Sequence, residues 1–165
     1  MPPHLKKGDT VAIIATARKI DVSTLQPGIK LLESWGLKVI LGKTIGKEQN
    51  QLAGADWQRA TDLQEMLDNP SVKAIWAAKG GYGTVKIVDR VDFSNFKKNP
   101  KWIIGFSDVT VLHSHMNQLG FQTLHAMMAI SAPSATTAAK ESLRKTLFGE
   151  KLSYSIPFHV FNHLG

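Results

Sequence analysis

The chain has 165 residues, 43% of them hydrophobic and 20% charged, a composition that suits one well-packed globular domain and argues against disorder. It has no cysteine, which excludes a disulfide framework and a thiolate metal site, and no apolar run long enough to span a bilayer. The formal net charge is +7, but the basic residues are dispersed and no recognition motif accompanies them. We therefore expect a cytoplasmic protein with a solvated basic surface that binds neither nucleic acid nor membrane.

Short apolar runs alternate with amphipathic runs along the first half of the chain. The run DTVAIIATA is rich in β-branched residues and predicts a first strand rather than a signal peptide. A helix is predicted next, capped by Ser23 and ended by Gly36. The run LKVILG predicts a second strand, and a helix capped by Asp56 and stopped at Asn69-Pro70 follows it.

The second half of the chain continues the alternation. The run VKAIWAA predicts a third strand, and the glycine-rich bend KGGYGT follows it, before a short helix over about 84–91. The run KWIIGF predicts a fourth strand, and a helix capped by Ser107 or Asp108 is predicted to extend through Leu119. The runs FQTLH and ISAPSATTAAKESLRKTLFG predict a fifth strand and a last helix.

Alternation of strands and helices at this spacing predicts an α/β fold. We expect a doubly wound, mostly parallel sheet with helices on both faces, as in the flavodoxin-like or Rossmann-like three-layer sandwich, over residues 1–150. Catalytic and binding groups of such sheets gather at the carboxyl ends of the strands. The candidates at those ends are Thr16, the bend 80–84, Ser107 with Asp108, and His125.

The bend after the third strand suits either a phosphate or a nucleophile. Both phosphate motifs fail on spacing, because Lys86 stands where the dinucleotide motif needs a glycine and Lys79 precedes the glycines instead of following them. A sharp strand-to-helix turn can instead present a hydroxyl group beside free backbone N–H groups, which is the logic of a nucleophile elbow. Thr84 is the hydroxyl residue placed for this role besides Tyr82. A structural turn with Thr84 as a helix cap explains the same pattern equally well.

Three segments of the chain resemble one enzyme family. These are AGADWQRATDLQEMLDNPSVKAIWAAKGGYGT, IIGFSDVTVLH and the opening LKKGDTVAII. They are similar to the N-terminal part of the LD-carboxypeptidases, which comprise muramoyltetrapeptide carboxypeptidases and the related microcin self-immunity peptidases. The Gly-Gly-Tyr-Gly-hydroxyl turn and the Gly-Phe-Ser-Asp segment together make this resemblance specific, and it runs nearly end to end.

The resemblance implies a peptidase that cleaves the bond before a C-terminal D-amino acid in cytoplasmic murein tetrapeptides. Such enzymes use a serine nucleophile with a glutamate and a histidine, need no metal or cofactor, and are expected to be homodimers when complete. The nucleophile position is carried over to Thr84, with Gly81 and Gly83 shaping the oxyanion site. The residues that the resemblance assigns to the cleft lining are Tyr82, Ser107, Asp108 and His125.

The chain departs from the family pattern at several positions. Threonine occupies the assigned nucleophile position where serine is usual, and Ala126-Met127 replaces Gly-Pro after His125. The resemblance also places the glutamate and the histidine in a C-terminal domain, so residues 151–165 are interpreted as a linker towards that domain and the chain alone is expected to be inactive. A non-catalytic domain that binds a carboxylate or a peptide on the same fold remains the alternative. His159 and His163 are four residues apart but lack a third ligand, so no metal site is predicted.

Overall fold

Five parallel strands form a single sheet at the centre of the molecule. The computed structural model describes residues 1–155, 158–159 and 161. Its strands run in the order β2-β1-β3-β4-β5, which is the flavodoxin-like order of a doubly wound sheet. Their bounds are β1 Thr10–Ile14, β2 Lys38–Leu41, β3 Val72–Ala77, β4 Trp102–Gly105 and β5 Leu124–His125. The predicted fold class is confirmed.

Helices cover both faces of this sheet. They are α1 Val22–Ser34, α2 Asp56–Asp68, α3 Ser94–Lys98, α4 Thr110–Gln118 and α5 Thr137–Phe148. Helices α1 and α5 pack on one face, and α2, α3 and α4 pack on the other. No helix in the described ranges is long and apolar enough to cross a membrane.

Alternate residues of the central strands feed the two halves of the core. In β1, Val11 and Ile13 pack with α1 and α5, while Ala12 and Ile14 pack with α2 and α4. All four residues are buried, as expected for a parallel strand covered on both faces. Burying each large aliphatic side chain contributes about 1.5–3 kcal/mol, which makes this double layer the main source of stability.

Several predicted boundaries are wrong. Ser23 lies inside α1, because the chain is already helical at Val22 and Asp21 occupies the cap position without a side-chain hydrogen bond. Asp56 is the first residue of α2 and pairs with Arg59 instead of capping the helix. The helix predicted after the bend is two single turns of 3₁₀ helix, Thr84–Lys86 and Val88–Arg90.

Helix α3 was not predicted. Asp92 precedes it, and one oxygen of this carboxylate accepts hydrogen bonds from the backbone N–H of Ser94 at 2.9 Å and from its hydroxyl at 2.6 Å. An Asp that accepts from the residue two positions later is a common start for a helical turn. The sequence DFSN carries this signal, but its five-residue helix is too short to show an amphipathic period.

The strand order places a topological switch between β1 and β3. The loops that follow these two strands carry predicted site residues. The chain leaves β1 towards α1 on one face of the sheet and leaves β3 towards α3 on the other face, which opens a crevice at the carboxyl ends of the two strands. Strand β4 lies directly beside β3, so its terminal loop reaches the same edge. The predicted site residues after β1, β3 and β4 are thereby brought together.

Candidate active site

Thr16, Thr84 and Asp108 meet at this edge of the sheet. The Thr84 hydroxyl donates to Oδ2 of Asp108 at 2.6 Å, and its backbone N–H donates to the same oxygen at 3.0 Å. The hydroxyl oxygens of Thr16 and Thr84 are 2.9 Å apart. A hydroxyl has one proton, and the proton of Thr84 is donated to the carboxylate, so Thr16 donates to Thr84. The loops after three neighbouring strands of the sheet, β1, β3 and β4, are thereby tied into one chain of hydrogen bonds.

The buried Arg59 of α2 joins the loop after β1 to the bend after β3. Its Nη1 donates to the carbonyl oxygens of Thr16 at 2.7 Å and Gly83 at 3.0 Å. Its Nη2 pairs with Asp56. Burial lowers the pKa of Arg59, and the nearby carboxylates of Asp56 and Asp108 oppose that change. A guanidinium remains charged in proteins, so Arg59 acts as a permanent cationic clamp under the bend.

The bend depends on two glycines for its path. Gly81 has φ +119° and Gly83 has φ +148°, values that side chains rarely adopt. A Cβ on Gly83 would lie 2.6 Å from Nη1 of Arg59, so a side chain there would displace the clamp. Between the two glycines, Tyr82 is 56% exposed. The predicted bend is therefore present, with Thr84 at its end as the first residue of the 3₁₀ turn.

Thr84 itself is closed off from solvent. Its relative exposure is 0%, and its hydroxyl is held between Asp108 and Thr16. A nucleophile must reach its substrate, and this hydroxyl faces into the protein. The geometry therefore disfavours the prediction that Thr84 attacks a peptide bond and favours a structural role for it.

Ser107 has the geometry that the sequence analysis assigned to Thr84. It is exposed, follows β4 after a single residue beyond Gly105, and begins a 3₁₀ turn that leads into α4. Its φ is +59°, an uncommon value for a residue other than glycine. A strained serine between a strand and a helix, two residues after a glycine, is the arrangement of a nucleophile elbow.

The bend after β3 lies directly against this serine. A Cβ built on Gly80 would be 3.5 Å from Cβ of Ser107, and one on Gly105 would be 2.9 Å from Cγ1 of Val109. The absence of side chains at Gly80 and Gly105 therefore allows the two loops to close around Ser107. The backbone N–H of Asp108 follows the serine, in the position that supplies an oxyanion donor in such elbows.

The two histidines near the site differ in burial and in whether their ring nitrogens already have hydrogen-bond partners. His113 of α4 is buried, its Nε2 donates to the carbonyl oxygen of Gly105 at 2.9 Å, and its Nδ1 lies 2.8 Å from the Thr123 hydroxyl. Burial lowers the pKa of His113, which favours the neutral ring. His125 is exposed beside the ring of Phe106, with ring centroids 6.2 Å apart, and lines a small cavity of about 270 Å³ against α5.

Metal ligation finds no support in the part of the chain that the structure describes. No group of three His, Asp or Glu side chains there is placed to hold a metal ion. The pair considered in the sequence, His159 and His163, cannot be assessed as a pair because His163 lies outside the described residues.

Comparison with known proteins identifies the family of this site. Residues 11–126 match the family model described as the LD-carboxypeptidase N-terminal domain. The chain belongs to the LD-carboxypeptidase family. The resemblance on which the sequence analysis relied is therefore confirmed, and Ser107 with Asp108 lies within the matched range.

Named relatives in this LD-carboxypeptidase family include two murein enzymes. The chain is 43% identical over 128 residues to the "Probable murein peptide carboxypeptidase" of Bacillus subtilis, covering 77% of this chain and 40% of that protein. It is 31% identical over 161 residues to the murein tetrapeptide carboxypeptidase of Pseudomonas aeruginosa, covering 94% of this chain and 52% of that protein. The chain thus spans about half the length of these curated relatives or less.

Solved structures of LD-carboxypeptidase relatives share the fold. The microcin C7 self-immunity protein MccF in complex with aspartyl sulfamoyl adenosine aligns with a TM-score of 0.85 at 26% identity, over 94% of this chain and 50% of MccF. The muramoyltetrapeptide carboxypeptidase of Oxalobacter formigenes aligns with a TM-score of 0.74 at 26% identity, over 83% of this chain and 47% of that enzyme.

Sequence reasoning missed the clamp formed by Arg59 and gave Ser107 only a place in the cleft lining. A signal for Arg59 was present, because an arginine four residues before Leu63 falls on the apolar face of an amphipathic helix. The signal for Ser107 was the Gly-x-Ser spacing at the end of β4. The three glycines of the neighbouring bend are the more prominent sequence signal, and they favour Thr84 as the nucleophile position on sequence alone.

Proposed function

We propose that the chain is the nucleophile-bearing domain of a serine-type LD-carboxypeptidase, with Ser107 rather than Thr84 as the nucleophile. Its reaction is hydrolysis of the peptide bond before a C-terminal D-amino acid in a murein tetrapeptide or a related peptide. The exposed serine at φ +59° between β4 and α4 carries this proposal. Membership of the LD-carboxypeptidase family and the names of the murein relatives support the substrate class.

The proposed chemistry begins with attack of the Ser107 Oγ on the scissile carbonyl carbon. A serine hydroxyl is a weak nucleophile until a neighbouring base removes its proton. His113 is unsuited to be that base because both of its ring nitrogens already have partners and its ring is buried. We propose that a histidine supported by a glutamate, from the part of the complete protein beyond this chain, accepts the proton and returns it to the leaving D-amino acid as the peptide bond breaks. Water, activated by the same histidine, then hydrolyses the ester on Ser107 and frees its hydroxyl.

The loops around Ser107 supply the remaining parts of the proposed site. The backbone N–H of Asp108 and those of the bend at Gly80 and Gly81 are our proposed donors to the oxyanion of the tetrahedral intermediate. Gly83 contributes indirectly, because its carbonyl holds Arg59. We propose that hydrolysis needs no metal or cofactor and that the complete protein acts as a cytoplasmic homodimer, in line with the family resemblance.

Thr84 has a separate role in this proposal. Its hydroxyl and backbone N–H both bind the carboxylate of the residue next to Ser107. We propose that Thr84 is a positioning residue, which fixes Asp108 and so sets the direction of the elbow. Thr16 and Arg59 hold the bend in place from the opposite side.

The test is release of D-alanine from a murein tetrapeptide by the complete protein. We expect Ser107→Ala to lower kcat by about 10³-fold or more, because the attacking oxygen is lost. Ser114→Ala on the exposed face of α4 is the matched control and should keep the wild-type rate. A fluorophosphonate probe should label the wild type and not Ser107→Ala.

Two results would contradict this assignment. Wild-type kcat in Ser107→Ala would exclude Ser107 as the nucleophile. Absence of turnover and of labelling in an intact wild-type protein would favour the alternative, a non-catalytic domain that binds a carboxylate or a peptide.

A further inference from the structure

A cleft beside the candidate active site is lined by cations that have no acidic partner. It has a volume of about 560 Å³ and lies between the loop 49–55 with the start of α2, the loop after β1 and the 3₁₀ turns after the bend. Arg18, Lys86 and Arg90 line it, one from each of three elements, and all three are exposed. Within the described residues, none of the three forms an ion pair.

The acidic lining of the cleft does not neutralise these charges. Asp56 is the acidic residue among the lining residues, and its carboxylate is paired with Arg59. Helix α2 also begins at the cleft wall, so its positive end adds to the same field. Like charges that converge on a concave surface repel one another and attract anions from solvent.

Aromatic side chains complete the wall. Trp57 is 64% exposed and Tyr82 is 56% exposed, and both line the cleft. Nζ of Lys86 lies 5.3 Å from the ring centroid of Tyr82. Exposed aromatic rings beside guanidinium and ammonium groups supply apolar contact for the stem of a ligand whose end is anionic.

The cleft is continuous with the bend that touches Ser107. Tyr82 lines the cleft, and Gly80 packs against Ser107 two residues earlier. The side chain of Arg18 crosses Gly81, where an added Cβ would lie 2.5 Å from its Cγ. The bend therefore links the two places, with Gly80 beside Ser107 and Tyr82 in the wall of the cleft.

We propose that this cleft is a subsite for acidic side chains or carboxylates of the peptide substrate, remote from the bond that is cleaved. This inference rests on the proposed peptidase function. Arginine binds carboxylates through paired N–H donors, which suits recognition of an acidic group better than a single point charge does. The volume is that of a small-molecule site, which favours a short peptide over an extended nucleic-acid strand.

Binding by this chain is the first arm of the test. The probes are acetyl-Glu-Glu-amide and its neutral counterpart acetyl-Gln-Gln-amide, titrated by NMR at low and high salt. We expect the acidic peptide to bind at least about tenfold more tightly, to shift the resonances of Trp57 and Tyr82, and to weaken with salt. Arg18→Gln and Arg90→Gln should each remove most of this preference, and Lys30→Gln on the exposed face of α1 should leave it unchanged.

Turnover by the complete protein is the second arm. An acidic peptide ending in D-Ala should have a lower KM than its amidated analogue, and Arg90→Gln should raise the KM of the acidic peptide more than that of the amidated analogue. Cleavage of both peptides with equal KM would overturn the subsite and leave the peptidase intact. Acidic-peptide binding at the cleft by a protein that cleaves nothing would support the subsite and overturn the proposed function. Tighter binding of an oligothymidylate than of the acidic peptide would also overturn the subsite.

Discussion

Thr84 and Ser107 occupy neighbouring turns but face opposite ways. Both follow a strand of the sheet, and both begin a 3₁₀ turn. Thr84 directs its hydroxyl inward to Asp108, whereas Ser107 is exposed in a strained backbone conformation. Strain of this kind persists where surrounding contacts enforce it, and here the two hydrogen bonds from Thr84 to the adjacent residue supply that constraint.

Removal of the Thr84 hydroxyl tests the positioning role. Thr84→Val keeps the shape of the side chain but leaves Asp108 without its shortest hydrogen bond, at a cost of about 1.5–3 kcal/mol in the free energy of unfolding. In the complete protein we expect kcat to fall by about 10- to 100-fold with little change in KM, while fluorophosphonate labelling of Ser107 slows but persists. Thr84→Ser retains the oxygen and should restore both rates.

A different result would contradict the positioning role of Thr84. If Thr84→Val lost turnover and fluorophosphonate labelling as completely as Ser107→Ala, Thr84 would be identified as the nucleophile. Urea unfolding of each variant distinguishes a lost catalytic group from a lost fold, because the positioning role predicts a folded protein throughout.

The residue scale is where the sequence is least informative. The positive φ of Ser107 has no local sequence signal, because neither Phe106 nor Asp108 is a glycine and the hydrogen bonds that hold Asp108 come from Thr84 in another loop. The direction of a hydroxyl likewise depends on partners from distant parts of the chain, such as Thr16 for Thr84. The place of the site at the strand ends follows from the alternation of elements, but the choice between two hydroxyl groups there does not.

Helix α2 joins the site to the far end of the sheet. Arg59 near its start clamps the active-site loops, and its last turn receives a second buried cation. Nζ of Lys101 donates to the carbonyl oxygen of Met66 at 2.8 Å and also to that of Asn69. The last carbonyls of a helix lack intrahelical partners, so the buried Nζ of Lys101, which has N–H donors in both protonation states, serves as a C-terminal cap.

The pKa of Lys101 makes this cap sensitive to pH. Burial, with a smaller contribution from the charge of Lys73, lowers the pKa of Lys101 to about 8 from an ordinary value of 10.5. Between these two values the unfolded chain keeps a proton that the folded chain has released, so the contribution of Lys101 to stability rises with pH. Its stabilising effect is complete only above pH 10.5 and is lost as the pH falls through about 8.

Replacement of Lys101 by Met should remove this pH dependence. We expect the free energy of unfolding of the wild type, minus that of Lys101→Met, to grow by about 2 kcal/mol between pH 7.5 and 9.5. Urea unfolding at intervals across this range is the measurement, and Lys30→Met on the exposed face of α1 is the control that should follow the wild type. A difference that stays constant or shrinks with pH would show that the ammonium is not destabilised in the folded chain.

Elements were predictable where their patterns were long. The apolar face of α2, formed by Ala60, Leu63, Met66 and Leu67, is buried as its helical spacing predicts. Strand β5 is only two residues long, although the run FQTLH predicted five, because the sheet edge pairs through Leu124 and His125 alone. Short turns such as Thr84–Lys86 follow from loop packing and carry no period that a sequence pattern could reveal.

At the scale of the whole molecule, the sheet order decides which loops meet. Sequence alternation predicts parallel strands, but it does not by itself specify that β1 lies between β2 and β3. That order places the switch beneath Thr16 and the bend, with β4 and Ser107 next to them. Both faces of this sheet carry a buried apolar layer of their own, so the described part of the chain has the packing of an independently folded domain.

We expect this chain, produced alone, to unfold cooperatively in urea but to release D-alanine at least about 10³-fold more slowly than the complete protein. Ser107 needs a base, and a serine triad that lacks its base loses about 10⁶-fold in kcat, so a 10³-fold loss is a lower bound. His113 is occupied by Gly105 and Thr123, and His125 contacts Phe106 and lines a cavity towards α5. The relatives are about twice as long as this chain or more, which leaves room for the histidine and the glutamate that we propose.

The chain alone and the complete protein should be assayed at equal concentration, with Ser107→Ala of the complete protein as the inactive reference. Turnover by the chain alone near the complete rate, lost in His125→Ala and kept in His159→Ala, would identify His125 as the base and refute a division of the triad between two domains.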